Sequence, residues 1–125
     1  MHQRSKSKTI LIVEDDPELR DLLVESCLSL TRLVIEAANG EEALKLFHSH
    51  KIDAILSDNN MPFLSGMELL QKIREEGSDV PFVFLTGGMS AGDAEKAKAR
   101  GAAKVLSKPY KEDDVIAILK LMIGP

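Results

Sequence analysis

Four places in this 125-residue chain hold side chains that could do chemistry, and each follows an apolar run. Glu14-Asp15-Asp16 closes Thr9–Val13, Asp58 closes Ile52–Leu56, Thr86 closes Pro81–Leu85, and Lys108 closes Ala103–Ser107. Clustered carboxylates about 4 Å apart repel by about 4 kcal/mol at an effective dielectric of about 20. Asp15, Asp16 and Asp58, if brought together, would raise one another's pKa values or recruit a divalent cation. Hard oxygens without a nearby His or Cys favour Mg²⁺ over zinc. Lys108 is a compact point charge suited to a phosphate or a carboxylate, and Thr86 can donate to an anionic oxygen. With a cation in place, one Asp could act as a nucleophile and form an acyl phosphate.

The elements that must position these groups follow from hydrophobic period and turn chemistry. Five short apolar runs, at Thr9–Val13, Leu33–Ala37, Ile52–Leu56, Pro81–Leu85 and Ala103–Ser107, predict strands. Pro62 stops the third run from continuing as a helix. Helical spacing connects the runs. Pro17, Glu18 and Asp21 suit the start of a helix carrying Leu19, Leu22, Leu23, Ser26, Cys27 and Leu30. Asn39…Glu42 and Ser65…Glu68 read as capping boxes. An Ala-rich helix from Ser90 to Arg100 has little more than Ala94 and Ala97 to bury, and a last helix carries Val115, Ile118, Leu119 and Met122. The result is an α/β fold, (βα)₅: a parallel five-stranded sheet with right-handed crossovers and helices on both faces. In such a sheet every strand ends on the same side, where ligands bind. The acids, Thr86 and Lys108 therefore collect at one edge.

Composition narrows the classes. The chain is 44% hydrophobic and 29% charged, with a net charge of −4, which argues against an extended nucleic-acid surface. No apolar run reaches the length of a membrane span and no signal peptide is evident. A single cysteine, Cys27, cannot form an internal disulfide and fits a reducing cytoplasm; its place in a helical apolar stripe makes it a core residue. His48 and His50 are two apart, do not share a helix face, and read as solvent-facing. Residues 1–8 read as a frayed basic tail and residues 9–123 as one domain, with no output domain after it.

Asp15-Asp16, Asp58-x-x-Met61-Pro62, Thr86-Gly87 and Lys108-Pro109 together resemble a response regulator receiver domain, over roughly Thr9 to Ile123. The resemblance implies the flavodoxin-like, doubly wound strand order 2-1-3-4-5. It implies that Asp58 accepts a phosphoryl group from a sensor histidine kinase or a histidine phosphotransfer protein. Asp15 and Asp16, Asp16 the more directly, would hold Mg²⁺ with Asp58 and the backbone carbonyl of Asn60. Thr86 would bond the phosphoryl oxygen and Lys108 would pair with it. The chain would then be a cytoplasmic signalling phosphoacceptor rather than a metabolic enzyme, acting on a downstream protein through its fourth and fifth helices and fifth strand, with no direct contact to nucleic acid or membrane.

Three departures from that pattern stand out. Val105 occupies the place three residues before the lysine where many receivers carry an aromatic switch. Phe63-Leu64-Ser65 replaces a small, often glycine-led turn, so Phe63 is a partner contact, a lid, or packed on a neighbouring loop. Gly87-Gly88 leaves no side chain two residues past Thr86 and opens water access to a phosphoryl group. An interaction module that works without phosphorylation is the alternative. An Asp-nucleophile phosphohydrolase would want an acid where Asn60 stands, and a flavin phosphate would be repelled by Glu14-Asp15-Asp16.

Overall fold

The computed structural model describes residues 5–124. Strands and helices alternate: β1 (Ser5–Val13), α1 (Pro17–Leu28), β2 (Thr31–Ala37), α2 (Gly40–Ser49), β3 (Ala54–Ser57), α3 (Gly66–Glu75), β4 (Phe82–Thr86), α4 (Ala91–Ala99), β5 (Lys104–Ser107) and α5 (Glu112–Ile123). All five strands are parallel, in the order β2-β1-β3-β4-β5. The expected (βα)₅ sheet and its 2-1-3-4-5 order are both present.

The core divides by the two-residue period of a strand. Ile10, Ile12, Ala54, Leu56, Val83 and Leu85 pack towards α1 and α5 with Cys27 and Leu119. Leu11, Val13, Ile55, Phe82 and Phe84 pack towards α2, α3 and α4 with Leu69 and Ile73. Both faces of β1, β3 and β4 are buried, which is why these strands read as unbroken apolar runs. Cys27 is fully enclosed, and burial pushes its thiol up to about 12. His48 and His50 are exposed, as expected, and His48 meets Glu76 at 2.8 Å.

One boundary departs from expectation. Met1–Arg4, half of the anticipated basic tail, lie outside the described residues, whereas Ser5–Lys8 belong to β1. The reason is pairing, which carries no hydrophobic signal. β2 begins at Thr31, so Ser5 finds Thr31 opposite it, and the Thr31 hydroxyl donates to the Lys8 carbonyl.

Helix starts are capped largely as the sequence predicts. Ser65 and Glu68 form a reciprocal capping box. Asn39 accepts from the Glu42 amide, but the Glu42 carboxylate reaches the amide of Ala38 rather than that of Asn39. α4 is the least anchored helix: Ala97 is its one buried residue, and Ser90 caps it.

Two glycines let the loops close onto the sheet edge. A Cβ on Gly66 would collide with the carbonyl oxygen of Asp58 and the ring of Phe84, and one on Gly40 would strike the backbone of Leu64. Gly66→Ala is therefore expected to cost about 2 kcal/mol by overpacking. Gly92→Ala, in open space on α4, is expected to add about 0.8 kcal/mol through helix propensity. Urea midpoints at constant m-value check both, and opposite signs are the expected result.

Candidate active site

The sheet's own hydrogen bonding builds the site. The ladder runs one residue past the strand ends, so the Asp58 amide donates to Val13 O (3.0 Å), that of Glu14 to Ala37 O (3.0 Å) and that of Lys108 to Thr86 O (2.9 Å). Each chemical residue is thus held against the end of a neighbouring strand. Asp58 is 7% exposed and Glu14 2%, while Asp15 opens to solvent. The carboxylates of Glu14, Asp15 and Asp58 converge, with one oxygen of each within 4.8 Å of the others.

Lys108 Nζ sits between two of these acids, 3.3 Å from Asp58 Oδ2 and 3.5 Å from Glu14 Oε1. The second oxygen of Asp58, Oδ1, accepts from the amides of Asn59 (2.7 Å) and Asn60 (3.3 Å). Thr86 is buried and its hydroxyl oxygen accepts from the Gly88 amide at 3.4 Å. A Cβ on Gly88 would come within 3.1 Å of the Asn60 side-chain amide, so the β4–α4 loop approaches the β3–α3 loop closely at a residue without a side chain. Gly87 and Gly88 are both exposed, in keeping with an open rim.

The electrostatics are those of crowded acids with one cation. Burial raises the Glu14 carboxyl to about 6; Asp15 and Asp58 add to the rise, while a hydrogen bond from the Asp16 backbone and the charge of Lys108 oppose it. Burial alone would lower the Lys108 ammonium, but Glu14 and Asp58 outweigh it and its pKa lies above the ordinary value.

Asp16 is not among the convergent acids, contrary to the expectation that it holds the cation most directly. Its Oδ1 caps α1, accepting from the amides of Glu18 (3.0 Å) and Leu19 (3.5 Å). Glu14 stands in the cluster instead, because β1 ends at Val13 and the next residue still lies in the ladder and is buried. The Asn60 backbone amide donates to Asp58 Oδ1, which keeps Asn60 beside the cluster. Arg20, which nothing in the sequence singled out, fixes the acidic loop: Nη1 donates to Glu14 O at 2.8 Å and Nε to Glu36 at 3.3 Å. A single arginine one turn into a helix carries no sequence signal for such a role. Val105, on the edge strand, is half-buried on the α2–α4 side. The ring of Tyr110 packs on the opposite side, its hydroxyl buried without a partner among the described residues.

The sign of the pH dependence follows from Glu14. Its folded pKa of about 6 exceeds its ordinary value of 4.5, so between these values the folded state binds more protons than the unfolded one. The group's contribution is most favourable below pH 4.5 and is lost as pH rises through about 6, by about 2 kcal/mol. Metal-free Glu14→Gln is expected to gain stability at pH 7 relative to pH 5 when each is compared with the parent by urea unfolding in EDTA.

Comparison with known proteins agrees with this geometry. The sequence profile of the response regulator receiver domain matches residues 10–120. A probable transcriptional regulator of Cyanidium caldarium is 35% identical over 121 residues, 97% of this chain and 48% of that protein. The chain spans about half the length of such curated relatives. Among solved structures, the receiver domain of a Pseudomonas aeruginosa sensor histidine kinase, with magnesium coordinated in its active-site cleft, superposes with a TM-score of 0.80 at 32% identity, over 98% of this chain and all of that one. The chemotaxis protein CheY4 of Vibrio cholerae gives 0.83 at 28% identity, over 96% and 99% of the two chains. With 111 of its residues inside the family profile and every motif at one sheet edge, the chain belongs to the response regulator receiver domain family.

Proposed function

We propose that Asp58 is the phosphoacceptor of this receiver and that it takes its phosphoryl group from a phosphohistidine on a sensor kinase or phosphotransfer protein. The observation that carries the reading is the Lys108 ammonium held between Asp58 and Glu14 at the mouth where three carboxylates meet. A carboxylate oxygen of Asp58 attacks phosphorus, the phosphorus–nitrogen bond breaks with its electron pair staying on nitrogen, and the donor histidine leaves as neutral imidazole, keeping the proton already on its other ring nitrogen. Catalysis of such a transfer is mainly positioning and charge neutralisation. The Asn59 and Asn60 amides fix the attacking carboxylate. Lys108 exchanges its carboxylate partner for the incoming phosphoryl oxygens, and Thr86 turns its hydroxyl from Gly88 towards the same group.

The oxygen-only donor set, without a His or Cys, suits Mg²⁺. Glu14, Asp15 and Asp58, with the Asn60 carbonyl as the resemblance implies, would hold the ion, which neutralises charge on the transferring group. No helix among the described residues is long and apolar enough to cross a membrane, in keeping with a cytoplasmic module that meets its kinase and a downstream protein by surface contact.

Intact mass after incubation with Mg²⁺ and acetyl phosphate tests the reading. One added phosphoryl group is expected, dependent on Mg²⁺ and absent from Asp58→Asn. No adduct, and no beryllofluoride complex either, would transfer the assignment to an interaction module that works unphosphorylated. The metal assignment has its own check. Asp15→Asn is expected to abolish Mg²⁺-dependent labelling, whereas Asp16→Ala retains Mg²⁺ binding by titration and loses about 1 kcal/mol of stability with its helix cap.

A further inference from the structure

Phe63 is the single non-glycine residue with a left-handed φ among the described residues, at 69°. The Leu64 amide donates to Pro62 O at 2.8 Å across it, closing a three-residue turn of the rarer, strained hand. Bulky residues seldom adopt this conformation, and it persists only where the surroundings enforce it. Here they do. Gly66 seats the loop on the Asp58 carbonyl, Gly40 seats it on the start of α2, and the Met67 amide donates to Asn59 Oδ1.

None of these constraints uses the Phe63 ring, which is 80% exposed. Packing on a neighbouring loop, one of the roles the sequence allowed, is thereby excluded. Glycine or asparagine would make the same turn without strain. A lone exposed phenylalanine is ordinary; one held in a strained turn beside a buried reactive carboxylate is not. The strain and the exposed ring bring nothing inside the molecule, so their use lies outside it.

We propose that Phe63 is a preformed aromatic anchor for the phosphohistidine-bearing donor protein, filling an apolar site beside that protein's histidine. The inference rests on Asp58 as acceptor. Asp58 is nearly enclosed, so a protein donor must cover the rim to reach it, and Phe63 stands five residues along the same loop, at most about 17 Å away. The turn exists with Asp58 unmodified, the state a donor meets, whereas a downstream target must read groups that change on phosphorylation. A rigidly presented ring avoids the ordering cost of binding and has the character of an interface anchor. The rim also sets the partner's charge pattern. Exposed Asp15, Asp16 and Glu18 flank the site where the chain enters α1, and exposed Pro62 and Phe63 flank it where the chain enters α3 on the other sheet face. The donor surface therefore carries cationic groups on one side of its histidine and an apolar recess on the other.

The test compares phosphoramidate with the complete set of histidine kinases and phosphotransfer proteins of the source organism, each autophosphorylated or charged beforehand. For Phe63→Ala, kcat/KM from the best protein donor is expected to fall about tenfold through KM, while the rate with phosphoramidate stays within about twofold of the parent. Phe63→Trp is expected to restore transfer. Phe63→Gly is expected to show the same transfer defect with Tm raised by about 3 °C, because the turn is relieved. Unchanged protein-donor transfer in Phe63→Ala, equal loss with both donors, or a lowered Tm for Phe63→Gly would each overturn the inference. So would a parent protein labelled by phosphoramidate but by none of the protein donors. A parent protein labelled by neither overturns instead the assignment of Asp58 as acceptor.

Discussion

Everything at the working edge of this protein depends on like charges being held together against their repulsion. Glu14, Asp15 and Asp58 bring three carboxylates into one small volume, two of them buried, with a single ammonium between. Such a cluster disfavours the folded state when fully ionised; the Glu14 carboxyl is raised to about 6, by burial first and by its neighbours Asp15 and Asp58 after it. Lys108 relieves part of it. The remainder is an unmet demand for positive charge at the mouth of the site. The crowding of the acids and the site's capacity for a counter-charge are therefore one property seen from two sides.

Holding the cluster falls to the most rigid part of the molecule. Glu14, Asp58 and Lys108 donate their backbone amides to neighbouring strand ends, so their positions are set by sheet register rather than by loop packing. Register in turn is fixed by two buried faces, since a slip of one residue would exchange the α1–α5 and α2–α4 sides of every strand. The loops that follow are brought down on this frame by contacts only glycine permits, at Gly66 beneath Asp58 and at Gly40 against Leu64. The Asp58 carboxylate and its hydrogen-bond donors thus share one short, tightly closed piece of chain.

How much of this could be read in the sequence depends on which physical signal each residue leaves. Asp58, Thr86 and Lys108 announce themselves because each ends an apolar run in a fold whose strands must all finish on one side. The acids after β1 are harder. Three stand in a row, and composition does not say which remains in the ladder and which turns away to cap α1. The ladder bond from the Glu14 amide and the cap at Asp16 decide it, one residue earlier than the resemblance suggested. The start of β1 at Ser5 left no trace because strand pairing there is between polar residues. Arg20 was invisible for a different reason: its partners, Glu14 O and Glu36, come from separate loops and strands.

Val105 leaves β5 without an aromatic ring three residues before Lys108. The element next to Thr86 here is α4, which buries one alanine completely and offers little apolar area to resist movement. Segments with few buried contacts open and shift at small free-energy cost. Gly87 and Gly88, between Thr86 and the Ser90 cap, leave the backbone of that connection free of side-chain obstruction except at Met89. The Thr86 hydroxyl oxygen is the acceptor of the Gly88 amide, so a rotation of that hydroxyl away from Gly88 would free the loop that feeds α4 from its bond to β4. The link from β4 to the loop before α4 thus runs through the backbone of Gly88 and not through a ring on β5.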